Sequence, residues 1–193
     1  MIIDNIPDIQ DIIKESDSYN FDIELIGTPV HERYPEIKIS IDSQTVWSGQ
    51  IRSDTFLKFN SVIIDGPVVN LEIDYYNKLD NDTIVDKTGL IIANQSVKLN
   101  SLKINDLLIS GTWLSEYSNT TYRLTEEQKS AYNSNSFPWK NVKTDVLWNN
   151  GSWTLTLQKP IIAGFLKQKS ISRQAFELSH LDILSKLQNY FRE

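Results

Sequence analysis

The chain contains no cysteine. That excludes disulfides, a thiolate zinc site and a cysteine nucleophile, and it suits a reducing cytoplasm or a particle that survives outside cells without thiol chemistry. Glycine is scarce, seven in 193 residues and none clustered, so no glycine-rich loop is present to cradle a phosphate. Basic residues are in the minority: 19 Lys and Arg face 25 Asp and Glu, for a net charge of −6. Nucleic acid is thereby excluded as the expected partner, because phosphate binding needs a basic footprint. No apolar run approaches the roughly 18 residues that read as a membrane span. The opening "MIIDNIPDIQDIIKE" is acidic and interrupted by Pro7, without the basic start of a secretory signal.

Catalytic patterns are also lacking. The two histidines stand in unrelated contexts, His31 in the turn-like "TPVHERYPE" and His180 on an apolar helical face, and both read as structural. There is no G-x-S-x-G elbow for a nucleophilic serine. Acidic pairs occur throughout the chain, so none singles out a glycosidase site. The expectation is a non-enzymatic protein.

What is present is alternation. Phe21, Ile23 and Leu25 alternate with acidic residues, and Ile37, Ile39 and Ile41 repeat the pattern before a turn at Asp42-Ser43-Gln44. "TVWSGQI" and "TFLKFNSVII" follow, then Val69, Leu71, Ile73 and Tyr75 on one face of "VVNLEIDYYN". Val97, Leu99, Leu102 and Ile104 form a strand whose broken period predicts a bulge near Asn100-Ser101. Trp153, Leu155 and Leu157 alternate in "GSWTLTLQKPI", and the preceding "WNNG" has the Asn-Gly signature of a two-residue hairpin from "VLW". Trp47 and Trp153 fall at strand positions expected to be buried. Short alternating strands joined by Asp, Asn and Gly turns predict a mainly β fold, an antiparallel jelly-roll-like β-sandwich.

The ends read as helical. Ile6, Ile9, Ile12 and Ile13 predict a short N-terminal helix in residues 1–19. Phe176, His180, Ile183, Leu184, Leu187 and Phe191 share one face of an amphipathic helix within residues 167–193 that Ser172 is placed to cap. Between them lies the sandwich, residues 20–166, with an irregular aromatic-rich insertion at 111–140. Within that insertion "TEEQKSAY" is expected to form a short helix capped by Thr125.

Candidate sites come from oxygen and aromatic donors. The loop "NKLDNDTIVDKTG" gathers Asn77, Asp80, Asp82 and Asp86, oxygen donors of the kind that calcium takes about six to eight of. It lacks the glycine and closing glutamate of an EF-hand, so a calcium site and a solvated polar hairpin loop both stand as readings. Trp113 and Trp139, in the irregular insertion, are the freer indoles and the candidate stacking platforms for sugar rings. The C-terminal residues Phe176, Ile183, Leu184, Leu187 and Phe191 form a candidate interface, since so apolar a face calls for a dock.

Two resemblances carry these residues further. "IKISIDSQTVWSG", "VVNLEIDYYNKLDND" and "VKLNSLKINDLLI", spanning Ile37 to Leu108, resemble small calcium-dependent xylan-binding modules. That resemblance implies a β-sandwich with a cation near Asn77, Asp80 and Asp82 that contacts sugar hydroxyls. This chain departs from the modules in carrying a longer insert, "TIVDKTGLIIANQS". Residues 36–166, with "NKLDNDTIVDKTG", "GTW" and "NGSWTLTLQKP", resemble structural proteins of T4-like marine tailed bacteriophages. That implies a virion component (decoration, neck, tail or baseplate), made in the host cytoplasm and partnered by other virion subunits. The sequence reading is therefore a structural virion protein, with a calcium-dependent glycan-binding module as the alternative.

Overall fold

Alternation becomes burial in the computed structural model, which describes residues 18–105, 107–131 and 139–161. The chain divides into two compact units, Ser16–Thr156 and a second made of Met1–Glu15 with Leu157–Glu193. The first is the sandwich. The N-terminal helix, the capping Ser172, His180 and the interface residues Phe176, Ile183, Leu184, Leu187 and Phe191 lie outside the described residues.

The strands are β1 (Ser18–Thr28), β2 (Glu36–Ile41), β3 (Gln44–Gln50), β4 (Thr55–Ile63), β5 (Val68–Tyr75), β6 (Thr83–Val85), β7 (Ile91–Asn94), β8 (Ser96–Ile104), β9 (Leu107–Ser110), β10 (Ser118–Tyr122), β11 (Val146–Leu147) and β12 (Gly151–Gln158). Two helices interrupt them, α1 (Gly111–Tyr117) and α2 (Glu126–Ala131). One five-stranded sheet runs β11-β8-β1-β4 with β9 added beside β8; the other runs β10-β12-β5-β2-β3. Every pairing within these sheets for which a register is resolved is antiparallel.

The inward faces are those the alternation indicated. Phe21, Ile23 and Leu25 of β1 are wholly buried, as are Val69, Leu71, Ile73 and Tyr75 of β5, Leu99 and Leu102 of β8, and Trp153 and Leu155 of β12. Each such side chain contributes about 1.5–3 kcal/mol when taken from water. A void of about 10 Å³ lined by Ile73, Val97, Leu99, Leu147 and Trp153 marks where the two sheets meet, and the Trp153 indole N–H is satisfied by the Thr144 carbonyl at 3.1 Å.

The expected bulge is present. Glu24 faces Ser101 while Leu25 faces Leu99, leaving Asn100 as the extra residue of β8. Both bulge residues then point at one carboxylate oxygen: Asn100 Nδ2 and Ser101 Oγ donate to Glu24 Oε2 at 2.8 and 2.9 Å, which holds the Glu24 carboxyl below its ordinary value. The turn between β2 and β3 is also as read, with Asp42 and Ser43 both left-handed (φ 45° and 67°), the geometry a two-residue hairpin favours.

Three expectations are corrected. "WNNG" is no hairpin: β11 pairs with β8 in one sheet and β12 with β10 in the other, so the segment crosses between sheets. Neither Asn150 nor Gly151 adopts the positive φ a type I′ turn requires. Gly151 is needed there for space instead, since a Cβ would lie 2.5 Å from the Thr121 carbonyl oxygen. The 111–140 insertion is largely regular up to Ala131. Its strand β10 was concealed because the inward residues Ser118 and Thr120 carry hydroxyls, and alternation was read from apolar side chains. Trp47 is half-buried because it stands on β3, the edge of its sheet. The short helix at "TEEQKSAY" is as expected: Thr125 Oγ1 accepts from Gln128 N and Gln128 Oε1 accepts from Thr125 N, a reciprocal cap at the start of α2.

Candidate functional site

The segment after β5 is built inward rather than outward. Its organiser is Arg33, presented by a tight turn in which His31 and Glu32 are both left-handed (φ 50° and 61°) and Val30 and Arg33 exchange backbone hydrogen bonds. The Arg33 guanidinium donates to Asp82 Oδ2 and to the Asn77 carbonyl. Asp82 also accepts from Leu79 N at 2.7 Å, closing a 3₁₀ turn over Asp80–Asp82, and is 2% exposed. Gln95, fully buried, ties the arrangement to the sheet: its amide donates to the Arg33 carbonyl, its oxygen accepts from Tyr75 Oη, and its backbone N–H donates to the Asp82 carbonyl. Burial, seconded by the Asp82 charge and opposed by Arg33, raises the Tyr75 phenol well above its ordinary value.

The four loop residues therefore do not converge. Asn77 is spent on the backbone, its oxygen accepting from Glu36 N at 2.8 Å and its amide donating to the Tyr34 carbonyl. Asp82 is held by Arg33. Asp86 folds its own turn, accepting from Thr88 N, Thr88 Oγ1 and Leu90 N, and these bonds lower its carboxyl below the ordinary value. Asp80 alone of the four faces a concavity, with Gln128 Nε2 donating to its Oδ1 at 3.2 Å. Among the described residues no three His, Asp or Glu groups are placed to hold a metal. The donor set does not fit a calcium ion.

The long insert forms a separate two-stranded sheet, β6 with β7, whose tip exposes Val85, Leu90, Ile91 and Ile92. Of the indoles, Trp113 is half-buried and stacked on Tyr117 (centroids 5.9 Å apart, planes 5° from parallel), and the Trp139 carbonyl accepts from Tyr122 N. Neither lines the concavity at Asp80.

The concavity at Asp80 is a polar pocket of about 370 Å³. Three stretches distant in sequence meet there: Lys78–Thr83, Arg123–Gln128 and Asn149-Asn150. Asn150 joins them. Its side chain accepts from Lys78 N at 2.8 Å and donates to the Lys78 carbonyl at 2.9 Å, while its own carbonyl accepts from Arg123 N at 2.7 Å. Arg123 is fixed by Asp74 Oδ1 at 2.6 Å and by the Tyr75 carbonyl. Lys78 Nζ donates to Asn94 Oδ1 and to the Trp148 carbonyl, and Thr83 Oγ1 shares that Asn94 oxygen. Burial brings the Lys78 ammonium down to about 8, against an opposing pull from Asp82. Trp148, beside Asn149 in sequence, leaves 45% of its surface exposed.

With that geometry in view, comparison with known proteins adds little. No family model matches the chain, and no curated protein does. Among solved structures, vCBM60 in complex with galactobiose aligns over 70% of this chain and 96% of its own at 12% identity and TM-score 0.44. A selenomethionine form of vCBM60, described with a circular permutation linking two families of calcium-dependent carbohydrate-binding modules, aligns over 72% and 90% at 9% identity and TM-score 0.46. Likeness of this degree says nothing of what this chain binds.

Of the sequence candidates, the pocket includes Asp80. Lys78, Arg123, Gln128, Asn149 and Asn150 went unnoticed as site residues. Two left a signal that pointed elsewhere, Gln128 as part of a short helix and Asn150 as part of a turn. Nothing in the chain's local pattern connects Lys78 with Asn150, 72 residues on. Among the described residues no helix is long and apolar enough to cross a membrane.

Proposed function

We infer that the sandwich is a non-catalytic glycan-binding domain and that the pocket at Lys78, Asp80, Gln128 and Asn149 holds the sugar. The observation that carries this reading is the pocket's wall. Eight of the nine residues that line it carry amide, hydroxyl or charged side chains, several fixed by backbone hydrogen bonds before any ligand arrives. Small-molecule sites of about 300–1,000 Å³ are mostly apolar with a few polar groups. A wall so rich in donors and acceptors suits a ligand that is itself covered in hydroxyls. Prepaid ordering of the wall lowers the cost of binding. Among the described residues one acidic side chain, Asp80, lines the pocket, whereas glycoside hydrolysis uses a pair of carboxyl groups, and that supports binding without turnover.

Screening the full chain against immobilised oligosaccharides tests the reading. Binding is expected, and Asn149→Ala and Gln128→Ala are each expected to weaken it about tenfold, near 1.4 kcal/mol. A screen in which no saccharide binds, by a protein with a normal melting transition, rules the reading out.

A second reading is favoured by the β6–β7 tip, where Val85, Leu90, Ile91 and Ile92 place apolar surface in water on a projecting hairpin. Contiguous exposed apolar surface marks contact with other proteins. It supports a subunit of a tailed-phage particle, bound to its neighbours through this tip. Sedimentation of the chain with the other particle proteins, compared with Ile91→Ser and Ile92→Ser, decides it: unchanged assembly in the double variant removes the support.

A further inference from the structure

Lys78 brings a cation to the pocket wall, and among the described residues its hydrogen bonds go to no carboxylate. Its ammonium is bonded to two neutral oxygens, Asn94 Oδ1 and the Trp148 carbonyl. Asp82 attracts it from a distance but is itself paired with Arg33, Arg123 is paired with Asp74, and Asp80 keeps its charge beside the neutral Gln128 amide. A half-buried ammonium hydrogen-bonded to neutral partners is only partly compensated by carboxylates that do not touch it, and an arriving anion in direct contact completes it. An ammonium also has a further donor beyond the pair taken by these oxygens. Two protein oxygens that converge on one point are thus already filled by a cation the chain carries itself, which leaves no role there for calcium.

Resting on the glycan-binding reading above, we propose that the ligand is an acidic glycan, with a carboxylate or sulfate on the sugar paired to Lys78 Nζ, and that its recognition needs no metal ion. Asp80 and the amides of Gln128 and Asn149 then take the hydroxyls around that anionic group. Asp80, Asp82 and Arg123 are the other charged groups that face Lys78 from the segments packed on it.

The test is calorimetric titration of the full chain, in excess chelator and again in millimolar calcium, with oligogalacturonates and sulfated glycosaminoglycan fragments as acidic probes. Their methyl-esterified and desulfated forms, with neutral xylo- and galacto-oligosaccharides, are the controls, and the two acidic classes separate carboxylate from sulfate. At least one acidic probe is expected to bind, its neutralised form at least tenfold more weakly. Lys78→Gln is expected to bind the acidic probe no better than the neutralised one, while Lys78→Arg retains most of the affinity. The preference of the wild-type chain for acidic over neutralised probes gives the same answer without a variant, should Lys78→Gln fold poorly. Equal affinity for acidic and neutralised sugars overturns the proposal and leaves glycan binding standing. Binding abolished by chelator also overturns it, in favour of a metal. No binding to any saccharide removes the glycan reading and this inference together.

Discussion

Asn77–Asp82 and Asp86–Ile92 are neighbours in sequence and each turns around an aspartate that accepts from nearby backbone N–H, yet they have opposite fates. The first is folded against the sandwich, with Asp82 buried under a guanidinium that comes from 49 residues away. The second closes on itself through Asp86 and carries its apolar residues into solvent. The difference lies in the partner. A carboxylate with an arginine and backbone N–H groups within reach can be taken from water at little net cost; one without them must stay at the surface and use the nearest N–H groups it has. The polar pocket exists because the first half is pinned: Lys78 and Asp80 are held in its wall by a segment whose neighbours on both sides are fixed.

The largest expected effect comes from removing the pin. Arg33→Met leaves the Asp82 carboxylate buried and unpaired, and is expected to destabilise the sandwich by about 3 kcal/mol or more, read as a lowered urea midpoint. Glycan binding is expected to fall with it, since the Asn77–Asp82 turn loses its anchor. Gln95→Ala comes next. It strands the Tyr75 hydroxyl, already disfavoured by burial, and the Arg33 carbonyl, for an expected cost of about 1–3 kcal/mol in the same measurement.

The exposed half is expected to respond only locally. The Asp86 carboxyl is lowered in the folded hairpin, so its contribution is fully present above the ordinary carboxylate range. It is lost as pH falls through the lowered value. Protection of the Thr88 and Leu90 amides, relative to their intrinsic exchange rates, is expected to fall in acid, and to be lost at all pH values in Asp86→Ala, with the global melt unchanged. A global shift in that variant would show that the two halves are one cooperative unit. The smallest effect is expected from calcium. Thermal melts in millimolar calcium and in excess chelator are expected to coincide, whereas a site filled at a hundred times its dissociation constant adds about 2.7 kcal/mol.

The sandwich was readable because its strands obey one local rule. Period-two alternation put Phe21, Ile23, Leu25 and Val69 to Tyr75 on the buried faces, and the break in that period at Asn100-Ser101 located the bulge. Reading failed where the rule was obeyed in other chemistry. In β10, Ser118 and Thr120 keep the alternation while carrying hydroxyls, and in "WNNG" a strong turn signature was overridden because its flanking strands belong to different sheets. The candidate site was less legible than the fold. Asp80 was found for its oxygen, but the loop was read as one unit, and the pocket at Asp80 is lined by neither Trp113 nor Trp139.

By itself, then, the sequence determined the faces of the strands, the turn at Asp42-Ser43, the bulge and the cap of α2, since each depends on residues a few positions apart. It also determined the absences: no thiol chemistry, no glycine-rich phosphate loop and no excess of basic residues. Only the tertiary structure decided which oxygens are free. Asp82 is claimed by Arg33, Asn77 by the backbone at Tyr34 and Glu36, and the oxygens of Asn94 and Trp148 by Lys78. A side chain's chemistry is written in the chain, but whether it faces a ligand depends on which distant partner reaches it first.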